Sequence, residues 1–337
     1  IIEECERTIY GQEKDSATSG LARMNMIINN YPTAEIKQGN TLSKPLFEEN
    51  NNLKQFDYVV ANPPFSDKRW GNGLSLPEDG KYNRFEGFGI PPSKNGDYAY
   101  LLHIVRSLKR QGKGAVILPH GVLFRGNVES EIRKNLIKKG YIKGLIGLPA
   151  NLFYGTGIPA CIIFIDKEGA QNRKSIFMID ASKEFVKDGN KNRLREQDIR
   201  KITDVFNSQT VIDGYSKVVS IDSIVENEYN LNIPRYIDGQ EKDFAFIGQD
   251  WEETVKSTGA LKGAKFARLA QKVIKADSTF GASACIVAVA WSPDTERAAD
   301  AFEDSQNKSS STSSSSNTSE NNTSSDSGQG AAGDDDF

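Results

Sequence analysis

Short apolar runs, separated by stretches of helical period, are what most narrows the folds open to this chain. "FDYVVA" (56–61), "GAVILP" (114–119), "YIKGLIGLP" (141–149), "PACIIFID" (159–166) and "KSIFMID" (174–180) each read as a strand. "RTIYG" (7–11) and "AEIKQG" (34–39) are shorter strands of the same kind, and "ACIVAVAW" (284–291) fits one more. Between them, Ala17, Leu21, Met24 and Ile28 mark one face of a helix over 16–30, stopped by Pro32. The spacing predicts further helices over 97–112, with Asp97 as N-cap and Gly112 as C-cap, over 127–139 and near 196–207. Strands without polar alternation, alternating with amphipathic helices, argue for an α/β sheet covered on both faces. The succession 141–148, 159–166 and 174–179 has no helix between its members and predicts an antiparallel edge.

The rest of the composition mainly excludes. A formal net charge of −3 over 337 residues gives no global footprint for a polyanion, so nucleic-acid binding would need local basic patches. Cys5, Cys161 and Cys285 form no CxxC pair and fit a reducing cytoplasm; with only His103 and His120 as histidines, no metal site is expected. No apolar stretch approaches the ~18–20 residues of a membrane span, and neither a membrane span nor a signal peptide is expected. The first residue is Ile, almost inside a strand, so the expectation is a piece of a longer protein.

The character changes toward the C-terminus. Phe266, Leu269, Ala270, Val273 and Ile274 alternate with Lys262, Lys265, Arg268, Lys272 and Lys275, which predicts a helix with a basic face. Thirteen of the seventeen residues 309–325 are Ser or Thr, too few apolar groups to offset chain entropy, so 307–337 is expected to be a disordered, acidic-ended tail.

The strand 56–61 ends in Asn62-Pro63-Pro64-Phe65, and that ending can do chemistry. An exocyclic amino group on a purine is a poor nucleophile because its lone pair is delocalised into the ring. Two acceptors aimed at its N–H bonds favour the pyramidal, reactive nitrogen. The Asn62 side-chain carbonyl and the Pro63 backbone carbonyl can be those acceptors. Proline pushes the residue before it to extended backbone and offers no N–H, so the loop is stiff and presents acceptors only. Phe65 can stack on the base. The plainer reading is a turn, since Asn-Pro opens many. Its place at the C-terminal end of an apolar strand favours a site.

These residues, with "YGQEKDSATSGLARMNMII", "NGDYAYLLHIVRSLKRQGKGAVILPHGVLFRG", "IGLPANLFYGTGIPACIIFIDK", "NKNRLREQDI" and "NLNIPRYID", resemble the modification (M) subunit of type I restriction–modification systems over about residues 1–238. The resemblance implies a Rossmann-like, S-adenosylmethionine-dependent methyltransferase sheet and methyl transfer to N6 of adenine in DNA. It also implies double-stranded DNA, a specificity subunit, a restriction subunit and a second M subunit as partners. It assigns Asn62, Pro63, Pro64 and Phe65 to catalysis, Glu13 to the cofactor ribose and Asn40, where relatives often carry Asp, to the cofactor adenine. Phe153 would stack on the far side of an extruded base. The plainer alternatives are a helix-start carboxylate for Glu13, a turn residue for Asn40 and a core-anchored ring for Phe153. Lys68, Arg69, Lys81 and Arg84 follow the loop and are candidates for DNA phosphates, or a solvated loop. Trp70 stays undecided between wedge and packing.

The organisation expected is a partial catalytic domain over 1–182, the C-terminal part of the methyltransferase region over 183–238, an extension over 239–306 and the tail over 307–337. The family's glycine-rich turn and the strand before it have no counterpart ahead of Glu13. The expectation is therefore a sheet without its central first strand, two strands left without a neighbour, and a fragment inactive on its own. Two other readings stay open: an enzyme acting on RNA or on a protein glutamine, whose loops usually carry Tyr, and an assembly component without turnover.

Overall fold

In the computed structural model, residues 8–74 and 81–237 and the backbone of 286–290 are described. The strands, helices and pairing below refer to these residues. The elements run β1 (Thr8–Glu13), α1 (Ser16–Ile28), β2 (Glu35–Gln38), β3 (Glu48–Glu49), β4 (Asn52–Leu53), β5 (Phe56–Ala61), α2 (Asp97–Ser107), β6 (Leu108–Pro119), α3 (Val128–Lys138), β7 (Ile142–Gly147), β8 (Ala160–Asp166), β9 (Ser175–Asp180), β10 (Val186–Asp188), β11 (Lys191–Arg193), α4 (Glu196–Ser208), β12 (Ser216–Ser220), α5 (Ile221–Glu226), α6 (Ile233–Ile237) and β13 (Ile286–Ala290). Nine strands form one sheet in the order β12-β9-β7-β8-β6-β5-β13-β1-β2.

The sheet is buried on both faces because its strands carry apolar side chains on both. Val59, Ala61, Val116 and Leu118 face one core cluster, with Leu101 and Ile104 of α2 and Ile132 and Leu136 of α3. Val60, Ala115 and Ile117 face the other, where α4 contributes Ile202 and Val205. Phe206 of α4 stacks on Phe164 at 4.1 Å between ring centroids. β8 runs antiparallel to both β6 and β7, and β12 is the antiparallel edge beside β9. Of the three strands expected to form an antiparallel edge, only β8 is reversed; β7 and β9 pair in parallel, and the edge itself is β12.

Three local expectations are corrected. α2 ends at Ser107, not near Gly112, because β6 must start there to pair with β5. Gly112 sits so close to this crossing that a Cβ would lie 2.9 Å from Lys109 N and 3.0 Å from Phe56 O. The N-cap of α2 is Gly96, and Asp97 is the first helical residue. In α1 the predicted apolar face turns outward: Leu21, Met24 and Ile28 are 45%, 59% and 76% exposed. Arg23 turns the other side of the helix inward, donating to the Ile36 carbonyl of β2 (3.2 Å) and to Ser19 Oγ (3.2 Å).

The central position of the sheet is the largest departure. β1 and β5 are not left without a neighbour. β13, from the C-terminal extension, lies between them and runs antiparallel to both. The basic helix expected over 262–275, the tail over 307–337, Cys5 and Cys285 lie outside the described residues. No helix among the described residues is long and apolar enough to cross a membrane, and no group of three potential metal ligands occurs among them.

Candidate active site

β1 and β5 end at the same level of the sheet. Ile286 of β13 is opposite Gln12 on one side and Ala61 on the other. Glu13 and Asn62, one residue further along each strand, are therefore level and two strand spacings apart, roughly 10 Å. Parallel strands β1 and β5 both point their C-terminal ends here, the end at which open α/β sheets bind ligands.

Asn62 is 7% exposed, and among the described residues no hydrogen bond ends on the Pro63 carbonyl. The loop then turns at Ser66, whose φ is 52°. Glu13 is 3% exposed. Its Oε1 accepts from Asp15 N at 2.9 Å, while its Oε2 is buried with no hydrogen-bond partner. Burial pushes the Glu13 carboxyl above its ordinary range, against the pull of the Asp15 and Lys14 amides. A buried carboxylate oxygen with nothing to accept from fits a ligand that brings hydroxyl donors, such as a ribose diol. Asn40 uses its Oδ1 locally, accepting from Leu42 N (2.9 Å) and Ser43 N (3.1 Å). What remains for a ligand is its Nδ2 donor, which suits a ring nitrogen of adenine and not the amino group an Asp would bind.

A family model described as N-6 DNA Methylase matches residues 2–244. The chain belongs to the N-6 DNA methylase family. It is 34% identical over 269 residues to the type I restriction enzyme MpnII methylase subunit of Mycoplasma pneumoniae, covering 75% of this chain and 48% of that one. It is 33% identical over 256 residues to the MjaVII methylase subunit of Methanocaldococcus jannaschii, covering 73% and 43%. The solved methyltransferase subunit of a type I restriction-modification system from Streptococcus thermophilus is 42% identical, with a TM-score of 0.60 over 67% of this chain and 48% of that one. The chain spans about half the length of the relatives it matches. The α/β methyltransferase fold expected from the sequence is the fold found.

Within this methylase fold, Phe65 and Phe153 meet directly. Their centroids are 5.8 Å apart at 74°, an edge-to-face contact that leaves no room for a base between them. Phe153 belongs to the 150–157 segment. That segment is held by the β10–β11 hairpin: Lys191 Nζ donates to the carbonyls of Phe153 (2.8 Å) and Thr156 (3.0 Å), and Asn192 Nδ2 to that of Ala150 (2.6 Å).

The basic candidates divide. Lys68 and Arg69 are exposed beside the loop. Lys81 is exposed but paired with Glu48 at 2.6 Å. Arg84 is corrected: it is 1% exposed, and its Nη1 lies 3.2 Å from His103 Nδ1, so it is a core residue and not a phosphate contact. Trp70 also packs. It is 1% exposed, donates to the Pro92 carbonyl at 2.9 Å and meets Phe85 edge-on.

Two residues carry more of the site than sequence reasoning assigned them. Gln12 is buried in β1 and holds the loop bearing Asn40, donating to the Lys44 carbonyl (2.8 Å) and accepting from Leu46 N (2.9 Å). Its signal was a lone amide in the apolar run "TIYGQ". Asp97, expected as the cap of α2, instead reaches back across the fold and accepts from Ser66 N at 2.7 Å.

Proposed function

We propose that this chain is the catalytic part of an adenine-specific DNA methyltransferase. It transfers a methyl group from S-adenosylmethionine to N6 of adenine in double-stranded DNA, in the cytoplasm. It would work as a modification subunit with a specificity subunit, a restriction subunit and a second copy. The observation that carries this reading is the level placement of Asn62-Pro63-Pro64-Phe65 and the unmet Glu13 carboxylate at one end of the sheet.

S-adenosylmethionine, when bound, supplies an electrophilic methyl group. Glu13 would hold its ribose hydroxyls and Asn40 would donate to its adenine. The Asn62 side-chain carbonyl and the Pro63 carbonyl would accept the two N–H bonds of the target amino group and stabilise the positive charge it develops. Phe65 would fix the plane of the base, so that catalysis rests on positioning and electrostatics. The methylated nitrogen is acidic and sheds its proton to water, so no general base is required.

The reversed direction of β13 favours a second reading, in which the chain keeps the fold and assembles without turnover. Transfer of labelled methyl from S-adenosylmethionine to DNA, by the protein with its specificity subunit, decides between them. The first reading expects transfer by the unsubstituted protein and a loss of at least about 100-fold in Asn62→Ala. Undiminished transfer by Asn62→Ala refutes the mechanism, and binding to the specificity subunit without transfer supports the second reading.

A further inference from the structure

Two acceptors that must converge on one amino group need more than stiff prolines. Proline fixes φ at positions 63 and 64, but the loop leaves through Phe65 and Ser66, which are not so constrained. Ser66 takes a φ of 52°, a left-handed conformation that a residue with a Cβ adopts only when something holds it there.

What holds it is a carboxylate from the first turn of α2. Asp97 is 0% exposed. Its Oδ1 accepts from Ser66 N at 2.7 Å, and its Oδ2 accepts from Arg125 Nη2 at 2.9 Å. Arg125 is fixed in turn by Glu129 of α3, to which its Nη1 donates at 2.9 and 3.2 Å. Gly121 makes room for this guanidinium, because a Cβ there would lie 2.7 Å from Arg125 Nε. The anchor is rigid: residues 97–105 of α2 are all buried. The chain Ser66–Asp97–Arg125–Glu129 therefore ties the exit of the loop to two core helices. A capping role does not account for Asp97, since Gly96 is the cap and the Asp97 carboxylate is bonded to Ser66 and Arg125.

We propose that Asp97 is a positioning residue for methyl transfer: by holding the Ser66 amide it sets the direction of the Asn62 and Pro63 carbonyls and of the Phe65 ring. The proposal rests on the methyltransferase reading of this loop. A misplacement of about 1 Å at a reacting centre can cost about 100-fold in rate. The loss should fall on kcat and leave KM for DNA and for the cofactor unchanged, because Asp97 touches neither.

Two measurements test it. The first is hydrogen exchange at Ser66 in the unsubstituted protein, compared with the exposed turn at Asn72. Ser66 is expected to exchange at least about tenfold more slowly, and equal rates would overturn the proposal with or without activity. The second is steady-state methyl transfer by the protein with its specificity subunit. Asp97→Ala is expected to lower kcat about 100-fold with KM unchanged. Asp97→Asn, which keeps an acceptor for Ser66 N, should recover most of it. Equal kcat in Asp97→Ala, or a loss confined to KM, would overturn the proposal. Slow Ser66 exchange without any methyl transfer by the unsubstituted protein would refute the functional reading and leave the anchor standing.

Discussion

Replacing Glu13 by Gln separates the two effects of its buried carboxylate. The substitution keeps an acceptor for Asp15 N, now met at 2.9 Å, and removes the charge whose second oxygen has no partner. In the free protein that charge is a liability. The folded carboxyl lies above its ordinary value, so over the interval between the two the native state holds a proton that the unfolded chain has lost. The contribution of Glu13 to stability is therefore complete below the ordinary carboxylate value and lost as pH rises through the folded value. At pH 7, Glu13→Gln is expected to gain about 1 kcal/mol, the difference between a buried charged and a buried neutral orphan. At pH 4 the two proteins should be equal. With ligand the order reverses: losing a charged acceptor for ribose hydroxyls costs roughly 1.5–3 kcal/mol, about 10–150-fold in Kd. Urea unfolding at pH 4 and pH 7 reads the first effect, and calorimetric titration with S-adenosylhomocysteine reads the second. A Glu13→Gln protein that is less stable at pH 7, or that binds within about twofold of the parent, would refute the assignment.

Two further predictions concern packing around the loop. His103 is held neutral to about pH 3, by burial first and by the Arg84 charge second. Arg84 can only donate, so His103 Nδ1 must be the lone-pair nitrogen. The unfolded chain takes up this proton near 6.5 and the native state does not, so stability should fall on acidification through that window by up to ~1.4 kcal/mol per pH unit. His103→Gln should flatten the profile, and an unchanged slope in urea titrations would count against the buried pair. Gly96→Ala would place a Cβ 2.7 Å from Trp70 Cβ and 3.2 Å from the Asp67 carbonyl. It is expected to cost about 1–3 kcal/mol in thermal or urea unfolding, and a neutral result would show that Trp70 yields easily.

Most of the sheet was legible because apolar strands of a doubly covered sheet announce themselves by composition alone. β7, β8 and β9 are where the runs "YIKGLIGLP", "PACIIFID" and "KSIFMID" put them, whereas β6 holds "GAVILP" but begins six residues earlier, at Leu108. Direction along the helix period was less legible. The 3.6-residue spacing located α1, but the side that faces the sheet is the one bearing Arg23, which bonds to Ser19 and to Ile36 of β2. The site divided the same way. The acceptor loop could be read from Asn62-Pro63-Pro64-Phe65, because proline chemistry is local. The contacts of Asp97 with Ser66 and of Arg84 with His103 span 31 and 19 residues and have no local signature. Arg84 misled for a physical reason: a charged residue in a polar loop is ordinarily solvated, whereas here the guanidinium is buried beside the His103 imidazole and the Tyr82 ring.

β13 shows most sharply what pattern alone leaves open. A run such as "ACIVAVAW" states that a strand is buried, and says nothing about which neighbours it takes or which way it runs. The slot between β1 and β5 presents two ladders of N–H and C=O groups, and either direction of strand can satisfy them. The direction matters at the site. A parallel strand would deliver its C-terminal turn beside Glu13 and Asn62, whereas β13 enters the sheet there, with Ile286 level with Gln12 and Ala61. Ile286, Val287, Ala288 and Val289 of β13 each have a paired residue on both sides, so the N–H of each has a ladder partner. Ala288→Pro removes one such donor at the position opposite Tyr10 and Val59 and leaves a buried carbonyl unmet. The expected loss is on the order of 1–3 kcal/mol, a fall in Tm of about 2–4 °C per kcal/mol for a unit of this size. Hydrogen exchange should then rise in β1 and β5 and stay unchanged in β7 and β9. An unaltered Tm with unaltered exchange in β1 and β5 would mean that these strands do not depend on β13 for their pairing.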